Sequence, residues 1–110
     1  MAKKISLPEE IYKKAPIHDL ILFGIYSLVG NEKKCTFENL VYICFSLFPK
    51  AFCLSQHPKL PDSRKLDRPL RSLRRMKLII GDPQSVFALT KQGRKKALEI
   101  ASAFKQRKLL

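Results

Sequence analysis

The stretch Ile17–Val29 constrains the fold most, because Ile17, Leu20, Ile21, Phe23, Ile25 and Leu28 crowd almost every side of a helix of that span. A helix that is apolar nearly all round has to be covered nearly all round, so it is expected to be the most buried helix. Gly30-Asn31 reads as its end. Thr36 then caps a second helix over 37–48, whose Phe37, Leu40, Val41, Cys44, Phe45, Leu47 and Phe48 fall at helical spacing before Pro49 closes it. Two buried helices need further elements to pack on. With 45% hydrophobic residues and only 4 Gly and 7 Pro among 110, the composition is that of a packed core and not of a disordered polycation. One domain over residues 1–110 is expected. The apolar runs fall short of the roughly 20 residues a bilayer crossing needs, and Met1-Ala2-Lys3-Lys4 leads into no apolar signal core. Both observations predict a cytoplasmic protein with no membrane partner.

Charge is the second constraint. The chain carries 22 Lys plus Arg against 9 Asp plus Glu, a net +13, and residues 63–110 alone hold 14 basic and 3 acidic side chains. Such clustering points to a polyanion partner; a solvated face that merely aids solubility would show interleaved acids.

The basic region has its own periodicity. After a loop with Pro58 and Pro61, Asp62 or Ser63 opens a helix over 63–76 in which Leu66, Leu70 and Leu73 fall on one face. Arg64, Lys65, Arg68, Arg71, Arg74 and Arg75 fill the remainder, followed by Lys77. Pro69 predicts a kink, or a first turn separate from a main helix that begins near Asp67. Leu78-Ile79-Ile80 and Val86-Phe87-Ala88-Leu89, joined through Gly81-Asp82-Pro83-Gln84-Ser85, predict a hairpin over 78–89. Thr90 caps a long final helix over 91–106, with Ala97, Leu98, Ala101 and Phe104 along one side and Lys91, Arg94, Lys95, Lys96, Lys105, Arg107 and Lys108 elsewhere. At the other end, Ser6 with Glu9 reads as the cap of a short helix over 7–14.

Five Arg to one Lys between Arg64 and Arg75 favours contacts whose geometry matters, since guanidinium is a planar fork and ammonium a point charge. Asp67 serves either to orient Arg71 as an i, i+4 pair or to cap the helix before the proline. Lys91, Arg94, Lys95 and Lys96 sit where a helix dipole disfavours cations, which predicts an anion nearby, a phosphate strand. Cys35, Cys44 and Cys53 are odd in number and form no Cys-x-x-Cys, so they read as small core residues; with His18 and His57 they form no metal or nucleophile motif. The sequence contains no Gly-rich phosphate loop or facing carboxylate pair, and no catalysis or cofactor is expected. The aromatic residues between Tyr12 and Phe52 read as core, not as a stacking surface for RNA or single strands.

At this point the residues become familiar. Leu66-Asp67-Arg68-Pro69-Leu70-Arg71-Ser72-Leu73-Arg74-Arg75-Met76-Lys77-Leu78 resembles the recognition helix and exit of the winged helix-turn-helix superfamily. Val86-Phe87-Ala88-Leu89-Thr90-Lys91-Gln92-Gly93-Arg94 is similar to the second wing strand and following helix start of MarR- and PadR-like regulators. The resemblance covers roughly Pro16 to Phe104. It implies a mainly α fold with a small β-hairpin, an extra N-terminal helix and a long C-terminal helix. It further implies double-stranded DNA as partner and a transcriptional regulator that reads the major groove with Arg64, Lys65, Arg68, Arg71, Arg74 and Arg75. Lys77 at the exit of that helix, Gln84 and Ser85 at the wing tip, and Lys91, Arg94 and Lys95 of the last helix would lie near the backbone. A homodimer through Leu98, Ala101 and Phe104 is a common companion, although that stripe reads equally as core. The wing turn departs from the pattern in having no Arg or Lys at its tip. The rival expectation is a winged-helix adaptor that docks an acidic protein surface in a nucleoprotein complex.

Overall fold

The computed structural model describes residues 6–109, with side chains through Gln106. Residues 1–4 and the side chains of Arg107 and Lys108, read above from the sequence, lie outside that description. The chain is mainly helical, with two small antiparallel sheets. In order come α1 (Glu9–Tyr12), α2 (Ile17–Gly30), α3 (Phe37–Leu47), α4 (Pro49–Phe52), β1 (Cys53–Leu54), β2 (His57–Pro61), a 3-10 turn (Ser63–Leu66), α5 (Asp67–Arg75), β3 (Ile79–Ile80), β4 (Ala88–Leu89) and α6 (Lys91–Leu109).

α2 is buried as its composition demands, with Leu20, Ile21, Leu22, Ile25 and Leu28 all in the core. α3, α5, α6 and β4 pack around it. Gly24 lets α3 approach closely, since a Cβ there would come within 2.9 Å of the Cys44 sulfur. Phe48 organises the aromatic core: its ring lies 5.0 Å from Tyr12, 6.0 Å from Phe23 and 6.0 Å from Phe104, mostly edge to face. The Thr36 hydroxyl caps α3 by accepting the Asn39 N–H at 3.1 Å, as expected.

Several expectations need correcting. The first helix is one turn, not 7–14, and Pro8 occupies its N-cap with no side-chain cap from Ser6. Pro16 disfavours helical backbone at Ala15, and the chain leaves the helix through a turn at Lys13 and Lys14. As expected, α2 ends at Gly30 with Asn31 as its C-cap, and the left-handed residue that completes the stop is Glu32, with φ 57°. Pro49 both closes α3 and opens the turn α4, and the loop expected after it contains the β1–β2 hairpin. Tyr42 is 62% exposed and does not belong to the core. On α6 the inward seam is Ala97, Ile100 and Phe104, a 3–4 spacing that leaves Leu98 half exposed.

Candidate nucleic-acid interface

The basic segment is divided where Pro69 predicts. A 3-10 turn carries Ser63–Leu66, and α5 begins at Asp67. Pro69 is therefore the third residue of α5, where its missing N–H would have had no partner in the helix anyway. It is buried beside Leu66, Leu70 and Leu73, and these four anchor one side of the segment. At 100° per residue, Arg68, Arg71 and Arg75 stand opposite that anchor, with Arg74 on the flank, and all four are exposed.

Asp62, not Asp67, does the capping. Its carboxylate Oδ1 accepts the Arg64 N–H at 3.1 Å and the Arg64 Nε–H at 3.3 Å, while the Arg64 side chain stays 82% exposed. The expected Asp67–Arg71 pair is not formed, and Arg64–Asp62 is the ion pair among the described residues. For the exposed Asp67 and Arg71, ordering the arginine would cost about as much as the contact returns. Lys65 is also committed, donating from Nζ to the Cys53 carbonyl at 2.8 Å. Arg68, Arg71, Arg74 and Arg75 have no such internal partner among the described residues.

α5 ends by local chemistry that also places the next elements. The Leu78 N–H reaches the Leu73 carbonyl and the Lys77 N–H reaches that of Arg74, each at 3.0 Å, with Lys77 left-handed at φ 61°. The Thr90 hydroxyl then donates to the Lys77 carbonyl at 2.7 Å and accepts the Gly93 N–H at 3.0 Å, so one side chain caps α6 and ties it to the exit of α5. Gly93 is required there, because a Cβ would collide with the Leu78 carbonyl oxygen. Exposed Lys91 follows Thr90 directly and so stands next to the exit of α5, whereas exposed Lys95, a turn further on, lies beside Leu98, Glu99 and Ser102. Arg94 instead borders a shallow cavity of about 280 Å³ with Tyr26, Val29, Leu89 and Leu98.

The turn between β3 and β4 is closed on itself. Asp82 Oδ1 accepts the Gln84 N–H at 2.8 Å, and the Asp82 carbonyl accepts the Ser85 N–H at 3.1 Å. Gln84 and Ser85 are exposed, beside a carboxylate that repels phosphate. Beyond the hairpin, the Phe87 N–H bonds the Cys35 carbonyl at 2.9 Å and Val86 bridges Thr36, which ties the second strand to the start of α3.

No family model, curated protein or solved structure matches this chain. The functional reading therefore rests on the geometry. Leu98 and Ala101 lie on or near the α6 surface, whereas Phe104 is spent in its own core, 5.3 Å from the Phe23 ring. Burial pushes the Cys35 thiol up to about 12 and the Cys44 thiol higher still, which keeps both protonated and weakly nucleophilic near neutral pH. Among the described residues, no three His, Cys, Asp or Glu side chains gather as metal ligands, and no helix is long and apolar enough to cross a membrane. The β1–β2 hairpin beside Lys65 was not expected from the sequence.

Proposed function

We propose that this chain is a double-stranded DNA-binding protein of winged-helix build, a transcriptional regulator that lays α5 in the major groove. The observation that carries the reading is the outward row of Arg68, Arg71 and Arg75, without internal partners among the described residues, on a helix anchored by Leu66, Pro69, Leu70 and Leu73. Nine residues of helix span about 14 Å, enough to occupy a groove about 12 Å wide. Arginines at i, i+3 and i+7 span about 10 Å of that length, the rise of roughly three base pairs. The order α2, α3, α5, β3–β4, α6, with the hairpin tied back through Val86 and Thr36, supports the winged-helix architecture. Lys77, Lys91 and Lys95 would meet the bordering phosphates, and a homodimer would ask for half-sites about one helical turn apart.

Fluorescence anisotropy on duplex pools across a salt series tests this. If about six phosphates are neutralised per protomer, log K falls against log salt with a slope near −5. Arg71→Ala or Arg75→Ala is expected to cost about 1–3 kcal/mol on a preferred duplex and to relax specificity. Absence of binding at about 50 mM salt would overturn DNA as the partner and favour the acidic-protein adaptor.

A further inference from the structure

We propose that the β1–β2 hairpin is a second duplex-contacting element, which sets Lys59 against the phosphate strand bordering the groove that α5 enters; this rests on the DNA-binding reading above. The hairpin stands between α3 and α5, with Leu54 paired to His57 and Cys53 to Pro61. It buries almost nothing. All of β2 is exposed, and Leu60 is 51% exposed. A two-stranded hairpin without a buried face is marginal on its own. Here its base is fixed, because the Asp62 N–H bonds the Phe52 carbonyl at 2.7 Å, Phe52 is buried, and the Lys65 ammonium bonds the Cys53 carbonyl at 2.8 Å. The fold thus holds in place an element that contributes little to the core.

Its charge and position suit a phosphate backbone. Between Glu38 and Asp62 the sequence has no acid, and the Asp62 carboxylate is occupied by Arg64. Lys59 and His57 are two apart on β2 and so share one face. By contrast, the β3–β4 turn offers Asp82 and no cation. Lys65, which the sequence suggests for DNA contact, instead anchors the hairpin, so the exposed cations before α5 are Lys59 on β2 and Arg64 in the turn that follows. The hairpin base adjoins the turn that leads into α5, and Lys59, two residues along β2 from Pro61, stands about 7 Å from that base. A cation displaced by about that much to the side of a helix in a groove about 12 Å wide comes to the groove edge, where phosphates are met.

The test uses the full chain and a fluorescent duplex of mixed sequence, with anisotropy across a salt series for the parent, Lys59→Ala, Lys59→Glu and Arg71→Ala. Thermal melts of each variant report folding, which exposed Lys59 is not expected to affect. Lys59→Ala should make the salt slope shallower by about 0.9 and weaken binding about threefold at low salt, and Lys59→Glu should weaken it further. If both Lys59 variants bind as the parent does while Arg71→Ala binds worse, the hairpin proposal falls and the α5 reading stands. Weakening with an unchanged slope would also overturn it, since no phosphate contact would have been lost. If the parent binds no duplex, both readings fall together.

Discussion

Two residues without the freedom of glycine hold left-handed backbone, Glu32 at φ 57° and Lys77 at φ 61°. Each ends a helix in the same way. The Lys33 N–H returns to the Leu28 carbonyl as the Leu78 N–H returns to that of Leu73, so carbonyls at the helix ends are satisfied while the Cβ crowds the backbone. Lys77 emerges between α5 and the start of α6, where a cation serves the proposed DNA face. Lys77→Gly is therefore expected to raise stability by about 0.5–1 kcal/mol in urea melts while weakening duplex binding. Lys77→Ala, which removes the charge but keeps the Cβ, should weaken binding without the stability gain. Equal stabilisation by both would show that charge, not backbone strain, sets the cost. The left-handed positions were not legible in the sequence because Gly30 and Asn31 supply a nearer and chemically better stop signal. The bonds to Leu28 place the reversal one residue later.

At the scale of elements, the junction of α5, β3–β4 and α6 depends on Thr90 and Gly93. Thr90→Ala is expected to cost about 1–2 kcal/mol, with Thr90→Ser recovering most of it, because the hydroxyl caps α6 and bonds the Lys77 carbonyl. Gly93→Ala should cost about 2 kcal/mol or more, since the opposing Leu78 carbonyl is backbone and has little room to yield. Chemical denaturation measures both, and a neutral Gly93→Ala would mean that α6 can withdraw from α5. Thr90 as the cap of α6 was legible in the sequence, as were the capped α3, the buried α2 and the break near Asp67, whereas its bond to the Lys77 carbonyl and the approach of Gly93 to Leu78 join residues too far apart in the chain to be read from spacing. The β1–β2 hairpin was not legible either, for a physical reason. His57-Pro58-Lys59-Leu60-Pro61 is exposed throughout, so it has no apolar alternation to betray a strand, and two prolines argue against one. Phe104 illustrates the converse limit. A helical stripe shows that Leu98, Ala101 and Phe104 lie near one another, yet only the packing against Phe23 and Phe48 shows which residue the core takes.

For the whole molecule, the same charges are expected to act on folding and on the proposed duplex binding with opposite sign. A net +13 is carried by a chain whose described residues span 31 × 30 × 28 Å, so neighbouring cations of its basic half lie within about a Debye length, roughly 10 Å in about 0.1 M salt, and repel one another. Most of that charge belongs to residues 63–110, and the described acids relieve little of it, since Arg64–Asp62 is the one ion pair among the described residues. The free protein should therefore gain stability as salt screens the repulsion, with its urea midpoint rising from about 0.1 M to 1 M sodium chloride as the Debye length falls from about 10 to 3 Å. Duplex affinity should fall steeply over the same range, because salt opposes counterion release. DNA itself should stabilise the fold by about 2.7 kcal/mol when present at a hundred times its Kd, an effect that added salt abolishes. Paired urea melts with and without duplex at each salt concentration read all three trends. A free protein whose midpoint falls with salt would show that its cations are held by attractive contacts within the chain and are not available to a polyanion.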